Sequence, residues 1–198
     1  MSTSEPIKHK KDIDALKEYF LNRKEYRNYT LITMGLNTAL RISDLLLLKW
    51  KNVYNENTNN FYNHIYVIEK KTKKESRIPI NPTLQQTLRF YRKHFNEPTP
   101  SSYLFYNTQN PLYPISRIQA YRIIERAARD LEFEGHISCH SLRKTFGYQA
   151  WKEGAEPALL MSVFNHSSYE ITKKYLCIDQ DDKDCLLYTS DAADEGLG

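Results

Sequence analysis

The chain has 198 residues, of which 40% are apolar, 26% charged and 13% aromatic, which suits one domain with a sizeable core and excludes disorder, collagen and disulfide scaffolds. Its net charge of +4 comes from 28 Lys and Arg against 24 Asp and Glu, a modest basic excess that favours nucleic acid only weakly by itself. No run approaches the roughly 18 apolar residues of a membrane span, no apolar signal core follows Met1, and three cysteines (Cys139, Cys177, Cys185) without a paired spacing suit a reducing cytoplasm.

Helical periodicity dominates in chain order. Residues 12–22 put Ile13, Leu16 and Phe20 on one stripe, and 28–40 is apolar around most of its circumference, so both predict helices, the second buried. Ser43 and Asp44 offer a cap and a first-turn acid to a short helix over Leu45–Trp50. Phe61–Glu69 and Ser76–Ile80 are rich in Ile, Val and Tyr and flank a charged stretch, which predicts a hairpin. Helices resume at 83–95, at 116–131 and at about 140–152, the last ended by Gly154. Pro157 opens another over 157–164, and Ser167 to Glu170 has the spacing of a capping box before Ile171–Leu176. The sum is a mainly α domain with a small antiparallel β-sheet, an α+β fold without internal repeats or linkers.

Four clusters carry chemistry. Arg41, with Ser43 and Asp44 beside it, sits between two apolar helices, where an arginine must pair with an acid such as Asp44 or bind an anion. Residues 70–77 pack five cations (Lys70, Lys71, Lys73, Lys74, Arg77) into eight positions. Taken singly, such a turn is a solvated strand edge. His140 and Arg143 share one helical face and can address one anionic group. His166 is followed nine residues later by Tyr175, one of fifteen tyrosines. Each cluster alone has a structural explanation. As a set, two arginines, a lysine, two histidines and a tyrosine form a site suited to a phosphodiester, with guanidinium forks for the oxygens, proton carriers, and a hydroxyl nucleophile.

The blocks Gly35–Trp50, His140–Trp151 and Phe164–Leu176 resemble the arginine, His-x-x-Arg and His-to-Tyr motifs of the tyrosine recombinase (phage integrase) family. The segment Val67–Ile80 is similar to that family's lysine-bearing β-turn, and motif order and spacing agree over about residues 10–180. The resemblance implies catalytic roles for Arg41, Lys71, His140, Arg143, His166 and Tyr175, with Asp44 supporting the first arginine. It implies DNA contacts from Lys70, Lys73, Lys74, Arg77 and Lys144, with Lys70 and Lys71 competing for the acid role. It also implies a 3′-phosphotyrosyl intermediate, double-stranded DNA as substrate and a homotetramer on DNA. Neither cofactor nor metal is called for, and a cytoplasmic, nucleoid-associated location in a bacterium or phage host follows.

Three departures accompany it. Asn165 stands where the family has glycine, a change a left-handed helix cap tolerates. Lys73 occupies the usual turn glycine. Only about ten residues precede the first helix, so the expected chain is a catalytic domain over 1–184 without the N-terminal core-binding domain. Residues 185–198 resemble translated sequencing-adapter read-through, hold three acids and no Lys or Arg, and are expected to be a non-native tail that leaves the chain a weak assembler. A zinc site at His136, Cys139 and His140 lacks further ligands. Nucleotide-binding loops and paired metal carboxylates are missing from the sequence. The competing function is a DNA-binding accessory protein or an inactive integrase remnant.

Overall fold

The computed structural model describes residues 4–178, which divide into two units at Phe146 and Gly147. In the first unit, α1 (Lys10–Asn22), α2 (Tyr26–Thr38) and α3 (Ile42–Leu45) lead through a single 3-10 turn at Trp50–Asn52 to four short strands, β1 (Tyr54–Asn55), β2 (Asn60–Phe61), β3 (His64–Ile68) and β4 (Glu75–Pro79). Two further helices, α4 (Pro82–His94) and α5 (Arg117–Asp130), follow, and α6 (Cys139–Lys152) begins in this unit. The second unit holds the end of α6, α7 (Pro157–Phe164) and α8 (Tyr169–Leu176).

The first unit is built around α2, buried on nearly every side as its composition predicts. Its polar residues do not break that burial, because the hydroxyls of Thr30, Thr33 and Thr38 bond to the carbonyls of Tyr26, Tyr29 and Met34 four residues back, at 2.8, 3.0 and 2.8 Å. One core cluster gathers Leu31, Met34, Leu45, Leu48, Trp50 and Ile65 with Leu84, Leu88 and Phe105. A second gathers Leu16, Phe20, Ile32, Ile124, Ala127 and Leu142. The α2–α6 crossing is tight: a Cβ on Gly35 would lie 2.6 Å from Leu142 Cδ1, so only glycine fits there.

The hairpin forms as predicted, with Tyr66 opposite Arg77 and Ile68 opposite Glu75. It starts three residues later than the composition suggests, because Phe61 pairs instead with Tyr54 in a separate β1–β2 ribbon. The short helix after Arg41 also differs from expectation. It runs Ile42–Leu45 rather than Leu45–Trp50, and Asp44 lies inside it, 4% exposed, with no capping role. Ser168, one residue later than the capping-box spacing implied, is the N-cap of α8 and accepts from Ile171 N–H at 3.3 Å. No helix among the described residues is long and apolar enough to cross a membrane. The predicted foreign tail, 185–198, lies outside the described residues.

Candidate active site

The candidate residues of the first unit begin where α2 ends. Ala39, at φ 53°, closes the helix in the left-handed conformation, which turns the chain sharply and leaves its carbonyl free. That carbonyl accepts from Nη1 of Arg143, so α6 is tied to the α2–α3 corner. Two residues on, Arg41 donates through Nη1 to Oε2 of Glu69 at the end of β3. The sequence reading offered Asp44 as the support for Arg41. The structure assigns Asp44 elsewhere: its Oδ1 accepts the backbone N–H of Lys70 at 3.0 Å, while Oδ2 has no partner among the described residues. Asp44 therefore supports the lysine turn rather than the arginine.

That turn carries Lys70, Lys71 and Lys73. Glu69 N–H donates to the Lys74 carbonyl and Lys73 N–H to the Glu69 carbonyl, both at 2.9 Å. Lys73 takes φ 57°, the left-handed geometry that makes glycine usual at such a position. Lys70, Lys71, Lys73, Lys74 and Arg77 are all exposed. The ammonium groups of Lys70 and Lys71 have no partner among the described residues, so both are available to an incoming anion. Arg77 Nη2 lies 3.4 Å from His64 Nδ1 on the outer face of the hairpin.

Ser138 starts α6: its hydroxyl accepts from His140 N–H at 3.3 Å, and its own N–H donates to the Ser141 hydroxyl at 3.0 Å. His140 stands exposed at the first turn, while Arg143, one turn on, is 5% exposed. Partial desolvation of the ring despite that exposure, and then the cations Arg117, Lys144, Arg143 and Arg41, push the His140 pKa below the ordinary histidine value, which favours the neutral ring. Glu69 responds oppositely. Burial would raise its pKa, but hydrogen bonds from Ser76 and Thr72 and the charges of Arg41 and Arg143 outweigh it and hold the carboxyl ionised below its usual range. Both arginines therefore act electrostatically on one carboxylate.

Lys144 does not belong to this surface. It is 3% exposed and donates from Nζ to the Ser4 carbonyl at 2.5 Å, which corrects its expected role as a DNA contact. The next residue, Thr145, accepts from Ile7 N–H at 2.8 Å. The segment Ser4–Ile7 thus lies along α6, and Lys144 bears on His140 by charge alone. No three His, Cys, Asp or Glu side chains converge on a metal-sized site among the described residues.

The second unit holds His166 and Tyr175. Asn165 caps α7 at φ 55°, the left-handed geometry the sequence predicts, and the chain then turns so that His166 N–H donates to the Met161 carbonyl at 3.0 Å. The His166 ring stacks on Phe164 with centroids 5.7 Å apart. Tyr175 meets it edge-on at 5.2 Å and also touches Phe164 at 5.3 Å. His166 Nδ1 lies 3.1 Å from Thr172 Oγ1, and that hydroxyl donates to the Ser168 carbonyl at 3.3 Å. With Thr172 donating there, it accepts from His166 Nδ1–H.

Glu69 is the residue the sequence reading missed. It directly precedes the lysine-rich run, which also holds Glu75, so nothing in the sequence singles it out.

Comparison with known proteins agrees with the family resemblance. The family model "Phage integrase family" matches residues 9–181. The chain is 41% identical over 181 residues to the probable integrase/recombinase YoeC of Bacillus subtilis strain 168, covering 91% of this chain and 93% of that protein. It is 23% identical to the tyrosine recombinase XerC of Pediococcus pentosaceus, covering 86% of this chain but only 61% of XerC. Among solved structures, XerA recombinase superposes with a TM-score of 0.72 at 19% identity, over 94% of this chain and 65% of that one. The Tn1549 transposon integrase in complex with circular intermediate DNA superposes at 0.69 with 21% identity, over 88% and 63%. The fold is that of the tyrosine recombinase catalytic domain, and the chain belongs to the phage integrase family of tyrosine recombinases.

Proposed function

We propose that this chain cuts and rejoins double-stranded DNA through a phosphotyrosyl intermediate. The observation that carries the reading is the placement of two guanidinium groups at one corner beside the lysine turn, Arg41 bonded to the Glu69 carboxylate and Arg143 to the Ala39 carbonyl two residues before Arg41. A phosphodiester brings the same kind of charge, and bidentate arginine forks suit its nonbridging oxygens.

In this reading the hydroxyl oxygen of Tyr175 attacks phosphorus, forming a Tyr–O–P bond to the 3′ side and breaking the bond to the 5′ oxygen. Lys71 gives the leaving oxygen its proton. Arg41 and Arg143 stabilise the charge that grows on the phosphoryl oxygens during attack. His140 and His166 move protons and hydrogen-bond the phosphate. Attack by a 5′-hydroxyl of another strand reverses the sequence, so one phosphoester is exchanged for another and no energy source enters the reaction. Family membership supports reading Tyr175 and the arginines as acting on one phosphate. Exposed Lys70, Lys73, Lys74 and Arg77 supply phosphate contacts, and exchange between two duplexes takes four copies on DNA, in the cytoplasm beside the nucleoid.

A nicked duplex that traps the intermediate tests the proposal. An SDS-resistant protein–DNA adduct is the expected result. A gel shift with no adduct would make the chain a DNA-binding protein without strand-cutting activity.

A further inference from the structure

Glu69 ties together two parts of the site that the sequence keeps 28 residues apart. Its Oε2 accepts from Arg41 Nη1 and from the Thr72 hydroxyl at 3.1 Å, and its Oε1 accepts from the Ser76 hydroxyl at 2.8 Å. Its backbone closes the same turn at both ends. Thr72 directly follows Lys71, so the carboxylate that touches the phosphate-binding arginine also holds the neighbour of the proton donor. Asp44 grips the turn one residue earlier, through Lys70 N–H.

Such a carboxylate could be a plug, occupying the arginine until a phosphate displaces it, or a strut. A plug would take the guanidinium fork with both oxygens and have few other ties. Here the contact to Arg41 uses one nitrogen only, and no other Arg41 donor has a partner among the described residues. The remaining N–H groups stay open to a phosphate while Glu69 is in place. The other oxygen is committed to Ser76, which anchors the acid to β4.

We propose that Glu69 is a positioning residue that couples the Lys71 turn to Arg41, setting the proton donor and the phosphate-binding guanidinium in one register. The inference rests on the phosphotyrosyl reading above. It adds a distinct consequence: Glu69 takes no part in binding DNA, and as an anion it opposes it, so its loss separates binding from cleavage.

The test compares the wild-type chain with Glu69→Gln and Ser76→Ala on nicked duplexes carrying either an ordinary 5′ oxygen or a 5′ bridging sulfur, which leaves without protonation. Glu69→Gln should bind DNA as tightly as wild type or more tightly, yet form adduct on the order of 10- to 100-fold more slowly on the oxygen substrate, the scale of a roughly 1 Å misplacement of a reacting group. On the sulfur substrate the defect should shrink severalfold. Ser76→Ala, which leaves the Arg41 contact intact, should show a smaller loss with the same rescue. Equal unfolding temperatures for the three proteins would exclude general misfolding as the cause of the slow step. Glu69→Gln cleaving as fast as wild type, or faster with tighter binding, would overturn the proposal, the faster case in favour of a plug. An equal defect on both substrates would also overturn it, since the lysine would then be unaffected. Failure of the wild-type chain to form adduct on either substrate would instead overturn the phosphotyrosyl reading itself.

Discussion

Substituting Gly147 by alanine should disturb α8, and with it Tyr175, without removing any chemical group. A Cβ at Gly147 would stand 2.6 Å from Leu176 Cδ2 and from Cε2 and Cζ of Phe164. Ordinary contact needs nearly 1 Å more at each. Phe164 is 1% exposed and Leu176 fully buried, so neither can swing aside into solvent. Overpacking of this kind costs about 1–3 kcal/mol. Alanine returns about 1 kcal/mol of helix propensity to α6, which leaves a net loss of roughly 0–2 kcal/mol, or up to about 8 °C in melting temperature for a chain of this size. The functional effect should exceed the thermal one, because Phe164 stacks on His166 and touches Tyr175, and any shift of its ring moves both. Thermal unfolding and adduct formation on a nicked duplex are the assays, with Gly154→Ala unsuitable as a control because its φ is 86° and Ala150→Gly a better one for helix propensity alone. A Gly147→Ala protein about 1 kcal/mol more stable than wild type, with adduct formed at the wild-type rate, would refute the close packing of α6 against α7 and α8.

Replacing either arginine by lysine keeps charge and loses the planar fork. Arg41→Lys and Arg143→Lys should each slow cleavage by about 10²-fold or more while DNA affinity changes little; parallel losses of binding and cleavage, seen by titration and adduct formation, would make them affinity contacts only. His140 binds its proton more weakly folded than unfolded, so the unfolded state holds more protons and stability should fall as pH drops below the ordinary value of 6.5. Urea unfolding of His140→Asn should show a flatter dependence in that window, and an unchanged slope would contradict the assignment. Lys73→Gly should stabilise the chain by about 1 kcal/mol by relieving the left-handed φ of 57°, and a lower melting temperature would show that the lysine is not strained there.

The elements that the sequence displayed best are those whose reasons are local. Pro157 and the apolar run after it delimit α7, and Asn165 marks its left-handed cap, because helix starts and stops depend on a few neighbouring residues. The hairpin was legible from β-branched runs around a charged turn. What local signals hid are tertiary assignments. Ser43 and Asp44 read as a cap, yet Asp44 is drawn inward by the N–H of Lys70, a residue 26 positions away. Lys144 adjoins Arg143 in a basic motif and read as a surface cation, but the helix turns it toward the Ser4 carbonyl. The two-residue strands β1 and β2 are too short to leave a periodic signal. The catalytic candidates were legible by motif, while Glu69 was not, because what sets it apart is its contact with Arg41, 28 positions away.

The central claim is that Tyr175 is the nucleophile. Peptide mapping of the SDS-resistant adduct on a nicked duplex, with Tyr175→Phe alongside, tests it most directly. The account requires DNA on the peptide containing Tyr175, and a Tyr175→Phe protein that still shifts the duplex but yields no adduct. An adduct that persists in Tyr175→Phe, or maps to another of the fifteen tyrosines, would contradict it.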